Sequence, residues 1–339
     1  MKTFKIIYIL IGVILAAGVL ITSLTGLSEK DLELYDMACS LEDGRSDSIW
    51  PGLGISGYPV ALRKGNTEYV LFNGNTEKRR PVLPVIACTA YPAGDTINVF
   101  MPCKSEMDSL GQIIEGFSSG GESFLIGQFS IESKKMSDNQ YVALLYHETM
   151  HALQLSRYET RITDMADWGD TYMEAMITEL ETDPSIQGLY KKQAELLHRL
   201  VLSENEEVAT DDIREYIKAR EETLAALRLK AGAEKGEMIG GYIDMTELLE
   251  GTARYAEAKT ALALSDSALY EQYLSSLQET MPGREKYYRS GMGICILLDK
   301  VSPGWKNDLF ADSLTLAGML ENAAEVFDDG GNEAYDPAG

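Results

Sequence analysis

The hydrophobic pattern divides the chain into an apolar N-terminal stretch, a β-rich part and a long helical part. Residues 6–27 are uncharged and mostly apolar, and two lysines precede them. Because a helix needs about 20 such residues to cross a bilayer, this stretch predicts a transmembrane helix over 6–27. Positive charge before the span places residues 1–5 in the cytoplasm and the rest of the chain outside the plasma membrane. A cleaved signal peptide, which would give a secreted protein, is the alternative.

The pattern over residues 50–136 predicts a small β-rich lobe. Short apolar segments there are separated by Gly, Asn and Pro turns, as is typical of strands. The segments are 58–62, 68–72, 83–89, 97–101 and 124–131. As an edge strand, the last segment would bind an extended peptide by adding a strand to the sheet.

The pattern over residues 137–327 predicts a mainly helical lobe, because apolar positions recur there with the helical period. Asp183 and Pro184 are typical of a helix cap and first turn, and Thr210 opens a further helix. The polar tail 328–339 is expected to be disordered.

The charge balance excludes one class of partner. The chain has 30 Lys and Arg against 53 Asp and Glu, which gives a net charge of −23. Such an excess of negative charge repels nucleic acid and anionic membrane surfaces. We therefore expect no nucleic-acid partner.

The four cysteines are an even number in a chain expected to face an oxidising compartment, so disulfides are permitted. Cys88 and Cys103 bracket a predicted pair of strands with a turn between them, and we expect them to form a disulfide. Cys295 lies in an apolar helical run and is expected to be a buried thiol.

Two of only three histidines in the chain lie four positions apart, at His147 and His151, and Glu148 lies between them. On an α-helix, residues four positions apart lie on the same face, so both imidazoles can bind one ion about 2 Å away. The Glu148 carboxylate is then placed to reach a metal-bound water as a general base. The spacing therefore predicts a zinc site of the kind found in zinc proteases.

A catalytic zinc site takes three protein ligands and leaves a fourth position to water. No further histidine follows His151 at short range, which excludes the metzincin pattern. His198 has no acidic or histidine partner at ligand spacing, and we interpret it as structural. The third ligand is therefore expected to be a carboxylate. The candidates are Glu174, Glu179 and Glu181 nearby in sequence and Glu247, Glu250 and Glu257 farther along.

One stretch among these candidates carries a family resemblance. Residues 248–257, with the sequence Leu-Leu-Glu-Gly-Thr-Ala-Arg-Tyr-Ala-Glu, resemble the Asn-Glu-Gly-Phe-Ala segment of gluzincin metallopeptidases, especially the aminopeptidase-N-like enzymes. The resemblance implies that Glu250 is the third zinc ligand, and Gln154 is also similar to the family pattern. Because 98 residues separate His151 from Glu250, far more than in that family, we expect a helical insertion over 172–235.

A second match lies at residues 287–293. It resembles the Tyr-x-Lys-Gly motif of the same enzymes, in which the tyrosine stabilises the oxyanion, and it implies this role for Tyr288 with Ser290 in place of the lysine. The Gly-Ala-Met-Glu-Asn motif that binds the substrate amine in those aminopeptidases is missing from the sequence. Exopeptidase specificity is therefore not implied.

Together these features predict an α+β fold, in which a small N-terminal β-rich lobe packs on a mainly helical, zincin-like metallopeptidase domain preceded by one transmembrane helix. The peptidase domain would cover residues 28–327.

The expected function is zinc-dependent hydrolysis of peptide bonds on the extracytoplasmic side of the membrane. His147, His151 and Glu250 would hold Zn²⁺, and Glu148 and Tyr288 would be catalytic. The expected partners are a peptide or protein substrate and, through the N-terminal helix, the membrane. The alternatives are that Glu174 or Glu179 is the third ligand, or that the chain is a non-catalytic, membrane-anchored binding or assembly domain that retains a zincin fold.

Overall fold

A computed structural model of the chain describes residues 26–42, 46–81, 88–109, 136–157, 171–203, 210–309 and 315–329. The fold is α+β, with helices and one five-stranded sheet. The chain divides into two compact units: residues 1–156 with 263–265, and residues 157–262 with 266–339. The predicted strand at 124–131 and residues 330–339 of the predicted tail lie outside the described residues.

The first unit holds the sheet. Its strands are β1 Val60–Lys64, β2 Thr67–Phe72, β3 Asn75–Arg79, β4 Thr89–Ala93 and β5 Thr96–Pro102. They lie in the order β3-β2-β1-β5-β4, in which β1 and β5 are parallel and the other pairs antiparallel. Central β1 is buried along its whole length. The β4–β5 hairpin turns at Gly94, whose φ of +65° is accessible to glycine at little cost.

Two helices complete the described core of this unit, α1 (Glu29–Ser40) and α3 (Asp138–Arg157), and a short helix α2 covers Ser46–Ile49. The Tyr141 hydroxyl of α3 donates to the Pro102 carbonyl at the end of β5 over 3.0 Å. The Tyr146 hydroxyl donates to the Ala38 carbonyl of α1 over 3.1 Å. Both tyrosines are buried, and their hydrogen bonds hold α3 against the sheet and against α1. Tyr146 directly precedes His147, so the contact with α1 lies next to the histidine motif.

The second unit is helical in its described part. Its helices are α4 Thr171–Leu180, α5 Pro184–Leu202, α6 Thr210–Ala231, α7 Ala233–Thr246, α8 Thr252–Ala263, α9 Ser267–Ser276, α10 Glu285–Val301, α11 Trp305–Asp308 and α12 Leu316–Asp329. A five-residue π-helix, Glu247–Gly251, joins α7 to α8. Asp183 caps α5 as predicted, because its side chain accepts from the Ser185 amide over 2.8 Å.

The predicted fold included a transmembrane helix, and the structure corrects this. The two longest described helices, α6 and α3, carry charged residues along their lengths, whereas a membrane span needs about 20 mostly apolar residues. Among the described residues, no helix is both long enough and apolar enough to cross a membrane. Residues 6–25 of the predicted span lie outside the described residues, and the architecture of the described chain is α+β without a spanning helix.

The predicted Cys88–Cys103 disulfide is also wrong, because all four cysteines are free. The strand register pairs Thr89 with Phe100, so Cys103 lies beyond the position opposite Cys88. Burial raises the pKa of both thiols. Cys295 is a buried thiol, as predicted.

Candidate metal centre

Helix α3 begins where Ser137 caps it. The Ser137 hydroxyl oxygen accepts a hydrogen bond from the backbone N–H of Gln140 over 3.1 Å. The side-chain oxygen of Gln140 accepts one from the backbone N–H of Ser137 over 2.7 Å. This reciprocal pair satisfies donors that a helix start leaves open. Farther along α3, His147 and Glu148 are buried, and His151 is partly buried.

His147 and His151 direct the same ring nitrogen to one point. Their Nε2 atoms lie 3.1 Å apart, and their rings meet edge to face. Two nitrogens bound tetrahedrally to zinc at ordinary bond lengths would lie about 3.3 Å apart. The pair is therefore already spaced as two ligands of one ion.

Gln154 sets the tautomer of His151. Its side-chain oxygen lies 2.8 Å from His151 Nδ1, and an amide oxygen can only accept, so Nδ1 carries the proton. The lone pair of His151 is then on Nε2, the nitrogen that faces His147. A hydrogen bond of this type orients and strengthens a histidine ligand.

Glu250 lies on the π-helix between α7 and α8. A π-turn inserts a residue into the helical repeat and is frequent at functional sites. The turn packs against α10 at two glycines: a Cβ atom on Gly251 would lie 2.5 Å from the Gly291 Cα, and one on Gly291 would lie 2.5 Å from the Glu247 carbonyl oxygen. Only glycine allows the two backbones this close approach.

Glu247 holds the other end of the π-turn. Its carboxylate accepts from the Arg220 guanidinium over 2.9 Å and from the Ser290 hydroxyl over 2.6 Å. Glu247 and Arg220 are both buried. Arg220 also donates to Asp244 in α7 over 2.6 Å. The turn that carries Glu250 is therefore tied to α6, α7 and α10.

The structure brings together three of the predicted site residues. One ligand atom from each of His147, His151 and Glu250 lies within 4.8 Å of the other two. Two imidazole nitrogens and a carboxylate oxygen are the donor set of a catalytic zinc site with three protein ligands. Among the described residues, these three form the one group of histidine, cysteine or acidic side chains whose ligand atoms lie close enough together to share a metal ion.

Several rival carboxylates are engaged elsewhere. Glu181 pairs with Lys286, Glu247 with Arg220, and Glu257 with Arg254. Each of these acids is buried, and its charge is balanced by the neighbouring cation. Glu174 and Glu179 lie on α4, outside the group formed with the histidines.

Tyr288 lies on α10 and is almost fully buried. Burial, and after it the nearby Glu250 carboxylate, raises the pKa of its hydroxyl, which therefore stays protonated and able to donate. The neighbouring Tyr287 differs, because its hydroxyl contacts Glu181 and, over 2.7 Å, the Tyr190 hydroxyl in the helical core. Of the two tyrosines, Tyr288 is the one next to the candidate ligand.

His198 is not part of the group formed by His147, His151 and Glu250. Its ring pairs over 3.0 Å with Gln278 at an exposed position. Sequence reasoning missed the Arg220–Glu247–Ser290 network and Arg284, which lies over the Tyr288 ring. The two hydrogen bonds of the network join residues 27 and 43 positions apart, and no local sequence pattern marks them.

Comparisons with known proteins identify no family for the chain. No family model, curated protein or solved structure matches the chain.

Proposed function

We propose that the protein is a zinc-dependent peptidase in which His147, His151 and Glu250 hold the metal. The observation that carries the proposal is the grouping of these three residues within 4.8 Å, with two histidine nitrogens already 3.1 Å apart. A fixed His151 tautomer supports it further, because an unprotonated Nε2 is the form that binds a metal.

When bound, Zn²⁺ lowers the pKa of a coordinated water to near 7 and polarises a carbonyl oxygen. The chain's own residues perform the proton transfers. Glu148 would take a proton from the attacking water while the water oxygen bonds to the scissile carbonyl carbon. It would then give that proton to the amine nitrogen as the C–N bond breaks.

The hydroxyl group of Tyr288 is chemically suited to donate a hydrogen bond to an oxyanion. A protonated phenol donates a hydrogen bond without a charge of its own, and such donors are most effective where water is excluded. The buried position of Tyr288 near Glu250 supports this role. We propose Tyr288 as the residue that stabilises the tetrahedral intermediate.

Replacing Glu148 with glutamine tests the proposal. Glu148→Gln should retain zinc, because Glu148 is not a ligand, and should lower the rate of peptide hydrolysis by about 10²- to 10⁴-fold, the usual contribution of a general base. Zinc content and cleavage of a peptide library by the zinc-loaded protein are measured together. Glu195→Gln, at an exposed site on α5, is the matched control and should cleave like the wild type.

Two results would overturn the proposal. One is cleavage by Glu148→Gln at the wild-type rate. The other is a wild-type protein that binds zinc in the site but cleaves no peptide or protein, which would favour a non-catalytic binding domain instead.

A further inference from the structure

Arg284 is a half-buried cation that lies over the ring of Tyr288, and among the described residues it has no carboxylate partner. It precedes α10, and its guanidinium carbon lies 5.5 Å from the centre of the Tyr288 ring. Its Nε is buried without a hydrogen-bond partner, and its side chain forms no hydrogen bond or ion pair with any described residue. Burial opposes its charge, yet Tyr288, Glu250 and Glu174 nearby raise the pKa of Arg284, so it stays cationic.

Two other arginines of the same helical unit, buried Arg220 and half-buried Arg254, are paired with carboxylates. Arg220 contacts two carboxylates at 2.6 and 2.9 Å, and Arg254 contacts two at 2.8 and 3.4 Å. Removing a guanidinium from water without a carboxylate partner is unfavourable. A buried donor that stays unsatisfied in a folded protein requires an explanation, and one explanation is a ligand.

The neighbours of Arg284 do not supply that partner. Glu174 and Glu250 contribute to its electrostatic environment, but neither forms an ion pair with it. In the proposed function Glu250 is committed to the metal. The planar fork of an arginine is suited to bind a carboxylate with two parallel hydrogen bonds.

We propose that Arg284 is a substrate-binding residue that holds a carboxylate of the substrate, so that the site prefers peptides with an acidic group close to the cleaved bond. The inference rests on the proposed peptidase function and adds its substrate class. The carboxylate has two possible sources, the free C-terminus of a short peptide or an Asp or Glu side chain. Both sources present the same carboxylate group to the guanidinium, and the experiment distinguishes between them.

Binding to a catalytically silent protein gives a test that does not depend on turnover. Zinc-loaded Glu148→Gln, with and without Arg284→Gln, is titrated with random hexapeptides that end in a free carboxylate or in a carboxamide. A second pair of libraries, both amidated, carries Glu or Gln at one fixed position. Arg284→Gln should weaken binding of one carboxylate library by about tenfold or more and leave its uncharged counterpart unchanged.

The controls separate charge, geometry and folding. Arg284→Lys keeps the charge but loses the fork, and should show an intermediate loss. Arg289→Gln removes an arginine of α10 that already pairs with Glu279 at 2.8 Å, and should bind both libraries like the parent. Unchanged zinc content in every variant shows that the site is intact.

The failure of each proposal has its own signature. Suppose that the wild type cleaves peptides, but that zinc-loaded Glu148→Gln binds the carboxylate and uncharged libraries equally well, or binds neither. The role proposed for Arg284 is then wrong, while the peptidase proposal stands. If the carboxylate preference depends on Arg284 but the wild type cleaves nothing, the peptidase proposal fails alone. Loss of zinc from both Arg284 variants would assign the arginine to the metal site and overturn the substrate role.

Discussion

At the residue scale, the tautomer of His151 is set by a single side chain. Gln154 is buried and lies one helical turn beyond His151, where its oxygen accepts from Nδ1. Without this acceptor, the proton of the neutral ring is free to move to Nε2, and the metal then has to compete with it. In the proposed site, the two histidine ligands would therefore depend on a residue that does not bind the ion.

Replacing Gln154 should weaken zinc binding without removing it. We expect Gln154→Leu to lower the zinc affinity by about 10- to 100-fold, the usual effect of losing the partner of a histidine ligand. Gln154→Glu keeps an acceptor of similar length and should bind zinc at least as tightly as the wild type. Competition with a chelator of known affinity measures both variants. Equal affinities for Gln154→Leu and the wild type would show that Gln154 does not act on the site.

At the element scale, the π-helix Glu247–Gly251 determines where Glu250 lies. It is fixed on one side by the buried Arg220–Glu247 pair and on the other by the backbone contact of Gly251 with Gly291. An α-helical continuation of α7 would rotate Glu250 by about 100°, one residue of the helical period, relative to the rest of the turn. The extra residue of the turn is thus part of the site.

A side chain at Gly251 should damage both the fold and the site. Gly251→Ala places a methyl group 2.5 Å from the Gly291 Cα, and neither backbone can move away cheaply. We expect a loss of about 1–3 kcal/mol in the free energy of unfolding, as for other overpacked positions. Denaturant unfolding measures the loss, and zinc affinity should fall with it.

Gly188→Ala is the matched control for this prediction. Gly188 lies within α5, where a Cβ atom meets nothing within 4 Å, so alanine should stabilise the helix by about 0.5–1 kcal/mol. A Gly251→Ala protein as stable as the wild type would contradict the role given to the glycine contact.

The sequence predicted the parts of the site that local spacing encodes, and missed the parts that depend on distant contacts. His147, Glu148 and His151 follow from helical periodicity, and Glu250 from a short family resemblance. Strand β3 was missed because its residues are polar and mostly exposed, so they show no apolar alternation. The Cys88–Cys103 pairing failed because hairpin register, which decides it, is set by the turn and cannot be derived from cysteine count.

At the scale of the whole molecule, the proposed site joins chemistry from distant parts of the chain. The two histidines lie on one helix, and 98 residues separate His151 from Glu250. An ion that binds all three residues in the folded state, and fewer when the chain is unfolded, would stabilise the fold by an amount that grows with the logarithm of its free concentration. The net charge of −23 also favours a cation over an anion near the surface of the protein.

Zinc binding by two single variants tests whether Glu250, and not Glu174, completes the metal site with the two histidines. Metal content and affinity are measured for the wild type, Glu250→Ala and Glu174→Ala, after removal of metal with a chelator and reloading with Zn²⁺. We expect a single zinc ion per chain in the wild type and in Glu174→Ala, and a loss of affinity of at least about 100-fold in Glu250→Ala, since a ligand is removed. Wild-type affinity in Glu250→Ala, or loss of zinc in Glu174→Ala, would contradict this expectation.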